Sequence, residues 1–433
     1  MVSAAMSAEG AQADQAQPSA RSLRGLDGVN LLMADVRDGV GPYLSVFLKG
    51  GEHWDAGAIG IAMAASSIAA AVCQIPAGLL VDGTRAKRLL IAVSGLMVAA
   101  GCLLIVLFPQ FLAVVAAQAM LGAASAGIPP AIAALSLGLV GRRLFDGRIS
   151  RNESFNHGGN FIAAVLAGTL GQYVGYHWIF YLVCGFAVAS AVVVTLINPA
   201  EIDHDRARGG EDAAGGQPVA FRDLLRRRNL LIFLASVVLF HFGNAAMLPM
   251  AGQVLAIAHP GSDTIALSAC IIAAQLVMVG VAWAVGRASA RGTGRKTIFL
   301  VALAVLPVRG VLFSFTSSPY GVVAIQLLDG VAAGIFGVVS VLIASDLMRG
   351  TGRFNLAQGL TALAVGIGAA LSNATAGFVV QWFGYATGFL YLAVIAGCAL
   401  AFFATLMPET RSSDAGSDAP AEQPDANTQQ APA

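Results

Sequence analysis

Apolar and polar positions fall along this chain in blocks. Twelve apolar runs cover 28–49, 56–80, 89–108, 111–139, 152–175 and 177–197, then 229–257, 263–286, 296–316, 319–346, 355–382 and 384–407. Each is close to the roughly 20 residues that a helix needs to cross the hydrocarbon of a bilayer. The pattern predicts an all-α polytopic membrane protein with twelve transmembrane helices. Two pairs of runs are separated only by a Gly-Tyr step, Gly175-Tyr176 and Gly384-Tyr385, and these read as tight helical hairpins. The polar ends, 1–27 and 408–433, read as disordered cytoplasmic tails, and 198–228 as a cytoplasmic linker.

The runs repeat. Gln118-x-x-x-Gly122 matches Gln326-x-x-x-Gly330 at an offset of 208 residues, and Gln172-x-x-Gly175-Tyr176 matches Gln381-x-x-Gly384-Tyr385 at 209. The segment from Gly78 to Arg88 lines up with the one from Gly286 to Lys296, although Ala290 stands where the first copy has Asp82. The predicted architecture is therefore two pseudo-symmetric six-helix halves, 28–197 and 229–407, an internally duplicated transporter pattern.

Composition agrees with a membrane chain and removes other classes. Of 433 residues, 57% are hydrophobic and 11% charged, with 50 glycines and a net charge of +1. Soluble domains carry about 25% charged residues, and a near-neutral chain offers no global field for nucleic acid. The five cysteines lie inside apolar runs and read as packing residues. No metal-ligand spacing, phosphate-binding loop or nucleophile–base set appears, so no metal, cofactor or enzymatic activity is expected. With the N-terminus inside, 22 of the 25 basic residues fall in cytoplasmic segments, the exceptions being Arg37, Lys49 and Arg309. That bias predicts an inner-membrane protein with both termini cytoplasmic.

GLLVDGTRAKR, Gly78 to Arg88, resembles the signature loop between the second and third helices of the major facilitator superfamily. The resemblance extends over about residues 28–407. FHFGNAAMLP (Phe240–Pro249) and RNESFNHGGN (Arg151–Asn160) are similar to a bacterial subgroup of that superfamily. It implies that the first, fourth, seventh and tenth helices line a central cavity, with contributions from the fifth, eighth and eleventh. In the loop itself, Gly78 suits a close helix approach, while Asp82 is placed to hydrogen-bond a facing helix or pair with Arg85, Lys87 or Arg88. This set reads as a gating latch.

Charges inside lipid-length runs are costly, roughly 2.5–3.5 kcal/mol each on insertion scales, and mark candidate sites. The first run carries Asp35, Arg37 and Asp38 just before a Gly39-Val-Gly41-Pro42 interruption. Aligning Pro42 with Pro249 places Arg37 opposite Asn244, with His241 one turn earlier. On the fifth run Glu153, Asn156, His157 and Asn160 form a polar stripe at helical spacing. Arg309 and Asp329 fall at matching depth on neighbouring runs and are expected to form a structural ion pair. Gln118 and Gln326 complete the set of substrate or proton candidates.

The resulting expectation is a monomeric, ion-gradient-driven, proton-coupled secondary transporter that moves a small organic solute by alternating access. Arg37 beside two acids suits a zwitterion or an anion. If Asp35 neutralises Arg37, the remaining acid favours a cation or an exported drug. Multidrug or metabolite efflux by proton antiport is the alternative, and a non-transporting solute sensor a further one. Some proton-coupled drug antiporters of the superfamily carry arginine at the position matching Gln118 and a Gly-Pro motif where this chain has Gly168-Thr-Leu-Gly171. Both departures count against ordinary drug antiport.

Overall fold

The computed structural model describes residues 18–38, 40–208, 226–349 and 354–411, and every regular element among them is helical. The first helix runs Ala20–Asp38, breaks, and resumes as Gly41–Val46. The second and third are Ala56–Gly83 and Lys87–Leu107. The fourth is Phe111–Ser125, continuing from Ile128 to a kink at Gly141 (φ 68°), beyond which the fifth runs to Tyr173. His177–Val193 is the sixth. The second half repeats the order. Its seventh helix is split into Arg228–Asn244 and Met247–Ala258, and Asp263–Ala290, Arg295–Phe313 and Pro319–Met348 follow. A last run, Phe354–Leu406, is divided at Gly384 (φ 83°) into the eleventh and twelfth helices. Among the described residues nine helices qualify as membrane spans by length and composition, the last of these being the divided pair. The first and fifth are too polar to qualify, and they carry most of the candidate charges.

Both Gly-Tyr steps turn on a left-handed glycine, Gly175 at φ 125° and Gly384 at φ 83°, a conformation that favours glycine because it lacks a Cβ. The repeated Gln-x-x-x-Gly has a packing cause. Gly122 lies against the Ser66 carbonyl of the second helix, and a Cβ on Gly330 would lie 2.6 Å from the Ala274 carbonyl oxygen of the eighth. Ser66 and Ala274 are themselves 208 residues apart, so the same helix crossing is built twice.

The two broken helices also correspond. Each resumes with proline in or near its first turn, Pro42 and Pro249, where the missing N–H costs nothing. The N–H freed at Ala246 donates to Ser372 Oγ at 3.0 Å, and Ser45 Oγ donates to the Pro249 carbonyl at 2.9 Å. Irregular backbone at membrane depth survives only with such internal partners.

Three expected boundaries move. The first helix starts at Ala20, not 28, because Ser19 caps it: the Ser22 N–H donates to Ser19 Oγ at 3.2 Å. The segment expected as a loop between the fourth and fifth helices is helical after Gly141, held by the buried Arg148. The start of the expected linker is folded too. Asp203 N donates to the Gly138 carbonyl at 3.0 Å, and Ile202 and Ala207 are buried. Residues 1–17, 209–225 and 412–433 of the expected tails and linker lie outside the described residues.

The halves meet along the second and eleventh helices and along the fifth and eighth, from the end bearing the Gly-Tyr hairpins to about mid-helix, where a Cβ on Gly366 would lie 2.8 Å from Ala71 Cβ. Nearer the hairpins a Cβ on Gly377 would lie 2.7 Å from the Ala56 carbonyl, and one on Gly168 would lie 2.7 Å from Ser268 Cβ. Tyr176 Oη donates to Asp263 at 2.5 Å, Tyr43 Oη and Ser268 Oγ are 2.6 Å apart, and Thr264 Oγ1 donates to the Gly168 carbonyl at 3.2 Å. At the opposite end Gly78 and Gly83 of the second helix, Gly286 of the eighth and Gly359 of the eleventh face open space. The halves therefore splay apart at the end that carries the linker. Gly78 does not mediate a close helix approach here. Asp82 is exposed, and the expected pairing of Asp82 is not made among the described residues.

Overpacking a tight crossing typically costs 1–3 kcal/mol. Gly377→Val should accordingly lower the detergent-solubilised melting temperature by several degrees, whereas Gly359→Val should leave it within error. Differential scanning fluorimetry on the two variants checks this.

Candidate functional site

The break in the first helix divides the space between the halves. Val40 and Gly41 border two cavities at once. One, of about 220 Å3, is lined by Asp35, Tyr43, Asn160, Gln275, Gln326 and Asp329, drawn from both halves. The other, of about 170 Å3, lies on the opposite side of the helix and is lined by Arg37, Ser66, Ser67, Gln118, Ser125 and Asn373. A smaller recess of about 80 Å3 brings Arg37 together with Asn30, Glu153 and Asn156. Asp35 and Arg37 are two residues apart, about 200° around the helix, which sends them to different cavities. Asp38 ends the helical segment, and its side chain lies outside the described residues.

The fifth-helix stripe is divided in the same way. Glu153 and Asn156 face the recess with Arg37, whereas Asn160 reaches the acid-lined cavity. His157 Nδ1 lies 3.0 Å from Gln275 Oε1 of the eighth helix, so its partner is across the interface and not Glu153. His241 borders none of these cavities. Its Nδ1 donates to the Val237 carbonyl at 3.1 Å, and its ring meets Phe336 edge-on at 4.7 Å between centroids.

Arg309 and Asp329 come together as expected, at 2.7 Å, and they recruit two residues that spacing alone assigned to substrate. Arg309 Nη2 donates to Gln326 Oε1 at 2.9 Å, Gln326 Nε2 donates to Asp329 Oδ2 at 2.8 Å, and Asn244 Oδ1 accepts from Arg309 Nη1. Phe313 covers the guanidinium at 5.3 Å from its ring centroid. Arg309 is 1% exposed, whereas the Asp329 side chain keeps 18% of its surface at the cavity. One network thus ties the seventh, ninth and tenth helices together beside the break in the seventh.

A second buried network was not anticipated. Arg148 Nη2 donates to Asp27 at 2.5 Å and Arg148 Nε to Asn152 Oδ1 at 2.7 Å. Asn152 Nδ2 continues to Ser136 Oγ at 2.8 Å, and Arg151 joins Asp27 at 2.7 Å. It binds the first, fourth and fifth helices at the splayed end. Its sequence signal was the Arg148/Arg151/Asn152 grouping at helical spacing; its partner Asp27 was concealed by the late start assumed for the first helix.

The Major Facilitator Superfamily model matches residues 28–348. The chain belongs to the Major Facilitator Superfamily. Two relatives are 45% identical over 397 residues, covering 91% of this chain and 95% of each: the uncharacterized MFS-type transporters Rv2456c and MT2531 of Mycobacterium tuberculosis strains H37Rv and CDC 1551. Solved structures share the fold at low identity. The nucleoside transporter NupG superposes with a TM-score of 0.70 at 15% identity, covering 88% of this chain and 98% of that one. A peptide transporter POT bound to alafosfalin gives 0.72 at 14%, covering 90% and 94%. A bacterial homolog of the human lysosomal transporter Spinster, inward-facing and unoccupied, gives 0.71 at 13%, covering 88% and 95%. This superfamily member is a membrane transporter and not an enzyme.

Removing one partner of a buried ion pair costs about 3–5 kcal/mol, because the other charge stays behind. Asp329→Leu alone should therefore destabilise the transporter more than the double variant Arg309→Met/Asp329→Leu. Thermal unfolding of both, beside the parent, gives the comparison.

Proposed function

We propose that this transporter moves a small polar organic solute across the bacterial inner membrane, coupled to protons, with both termini in the cytoplasm. The observation that carries this reading is the divided cavity. Two chambers of opposite lining charge meet at the broken first helix, between halves that touch from one end to about mid-helix. A solute arriving from the splayed end has polar partners on both sides of the break. The positive-inside distribution of basic residues supports a cytoplasmic position for that end.

Alternating access follows as rocking of the two halves about the solute. The Tyr176–Asp263, Tyr43–Ser268 and Thr264–Gly168 contacts would part as the splayed end closes, and Asp82 would then regain a partner near the loop arginines. The Tyr43–Ser268 and Thr264–Gly168 hydrogen bonds are worth about 0.5–1.5 kcal/mol net each and the one to the Asp263 carboxylate about 1.5–3 kcal/mol, a set small enough for ligand binding to trade against.

Asp35 is the better proton carrier of the two acids in the chamber. Neutralising Asp329 would leave the fully buried Arg309 without its counter-charge, at the cost already given for a one-sided break. Asp35 lines the same chamber from the broken first helix. Extrusion by proton antiport would use the same residues with the opposite flux direction.

Proteoliposomes under an inward proton gradient, incubated with a metabolite mixture and read by mass spectrometry, test the reading. A one-unit gradient is worth about 1.4 kcal/mol, so one proton per solute supports up to roughly tenfold accumulation. Accumulation or extrusion should vanish when the gradient is collapsed. Asp35→Asn should lose gradient-driven movement and keep solute exchange. Flux indifferent to the gradient would overturn proton coupling.

A further inference from the structure

The internal repeat compares the two halves residue by residue, and one position stands out. In the second half Gln326 and Asp329 hold the guanidinium of Arg309. Their counterparts 208 residues earlier are Gln118 and Leu121, and the counterpart of Arg309 is Gly101, which has no side chain to offer. The guanidinium of the first half comes from another helix. Arg37 stands opposite Asn244, the residue that touches Arg309, and it shares a cavity with Gln118 and Leu121.

Each half thus brings a guanidinium and its repeated glutamine together, in direct contact in the second half and around one cavity in the first. At the position of Asp329 itself, only the second half has a carboxylate. Where Asp329 would recur, the first half has the apolar Leu121 and a cavity of about 170 Å3. That cavity is bordered by Ser66, Gln118 and Asn373, side chains with N–H or O–H groups to offer, and by no carboxylate among the described residues. The Ser67 and Ser125 hydroxyls, also at its border, donate to the Met63 and Gly122 carbonyls of their own helices.

We propose that this cavity receives a carboxylate of the transported solute, which takes against Arg37 and Gln118 the place that Asp329 takes against Arg309 and Gln326. The inference rests on the transporter reading above and adds the class of cargo: a carboxylate-bearing solute, its remaining part lying towards the acid-lined chamber across the helix break. Arg37 does not have to be unpaired for this. A guanidinium has five N–H donors in a planar fork suited to two-point carboxylate binding, and it can serve Glu153 in the neighbouring recess as well as a ligand.

The test uses the purified full-length protein and thermal-shift titration with glycine, dialanine, succinate and benzoate, each beside its carboxamide analogue. At least one acid should stabilise the protein while its amide does not, and Arg37→Gln should weaken that acid by tenfold or more. Leu121→Asp, which supplies in the first half what Asp329 supplies in the second, should abolish the ligand shift without lowering the unliganded melting temperature. Acids and amides acting equally, a shift that survives Arg37→Gln, or no shift from any acid would each overturn the proposal. If Leu121→Asp does not fold, the Arg37→Gln titration decides alone. Flux separates the two readings. A neutral or cationic cargo moved across proteoliposomes would defeat the carboxylate subsite and leave transport standing, whereas acids that bind but never cross would do the reverse.

Discussion

A charge placed between apolar helices must be answered inside the protein, and Arg309 is where the second half meets that demand. Its guanidinium is almost wholly enclosed, and every acceptor it finds comes from a different turn of the bundle: Asn244 before the break in the seventh helix, Gln326 and Asp329 one turn apart on the tenth. Lipid offers no alternative partner, so the three helices are held in one mutual register. That register in turn fixes where the broken seventh helix resumes, and hence where Ser45 of the first helix finds the Pro249 carbonyl.

The first half solves the same problem elsewhere. Its fully satisfied charges, Asp27 with Arg148 and Arg151, lie at the splayed end and bind the first, fourth and fifth helices there. The middle of that half is left with polar side chains around open volume. Duplication supplied the scaffold twice, and the charges were then distributed unequally, which is what gives a pseudo-symmetric molecule a site with a direction.

Contact between the halves depends on small residues. Gly60 and Gly377 let the second and eleventh helices cross at backbone distance, and Gly168 does the same for the fifth and eighth. Close backbone approach compensates for the absence of a hydrophobic drive between helices in lipid. Because these crossings run from one end only to about mid-helix, the interface resembles a hinge more than a seam, and the exposed Asp82 at the other end is in keeping with an open state.

Much of this was legible in the linear chain. Apolar run length, the two Gly-Tyr steps, the proline after each break and the 208-residue repeat are local properties, and they determined the helices, the hairpins and the two-half plan. Helical spacing also placed Arg309 and Asp329 at one depth. What spacing could not supply was direction around each helix axis and the identity of the neighbour found there. Asp35 and Arg37 face separate chambers, His157 reaches Gln275 instead of Glu153, His241 turns to Phe336, and Asn244 and Gln326 bind Arg309. Asp27 was lost because a capping serine extends the first helix outward. The sequence by itself determined which segments must be helices in lipid, since backbone satisfaction and apolar length are properties of single segments. Only the tertiary structure decided which polar groups meet, since that depends on how twelve such segments rotate against one another.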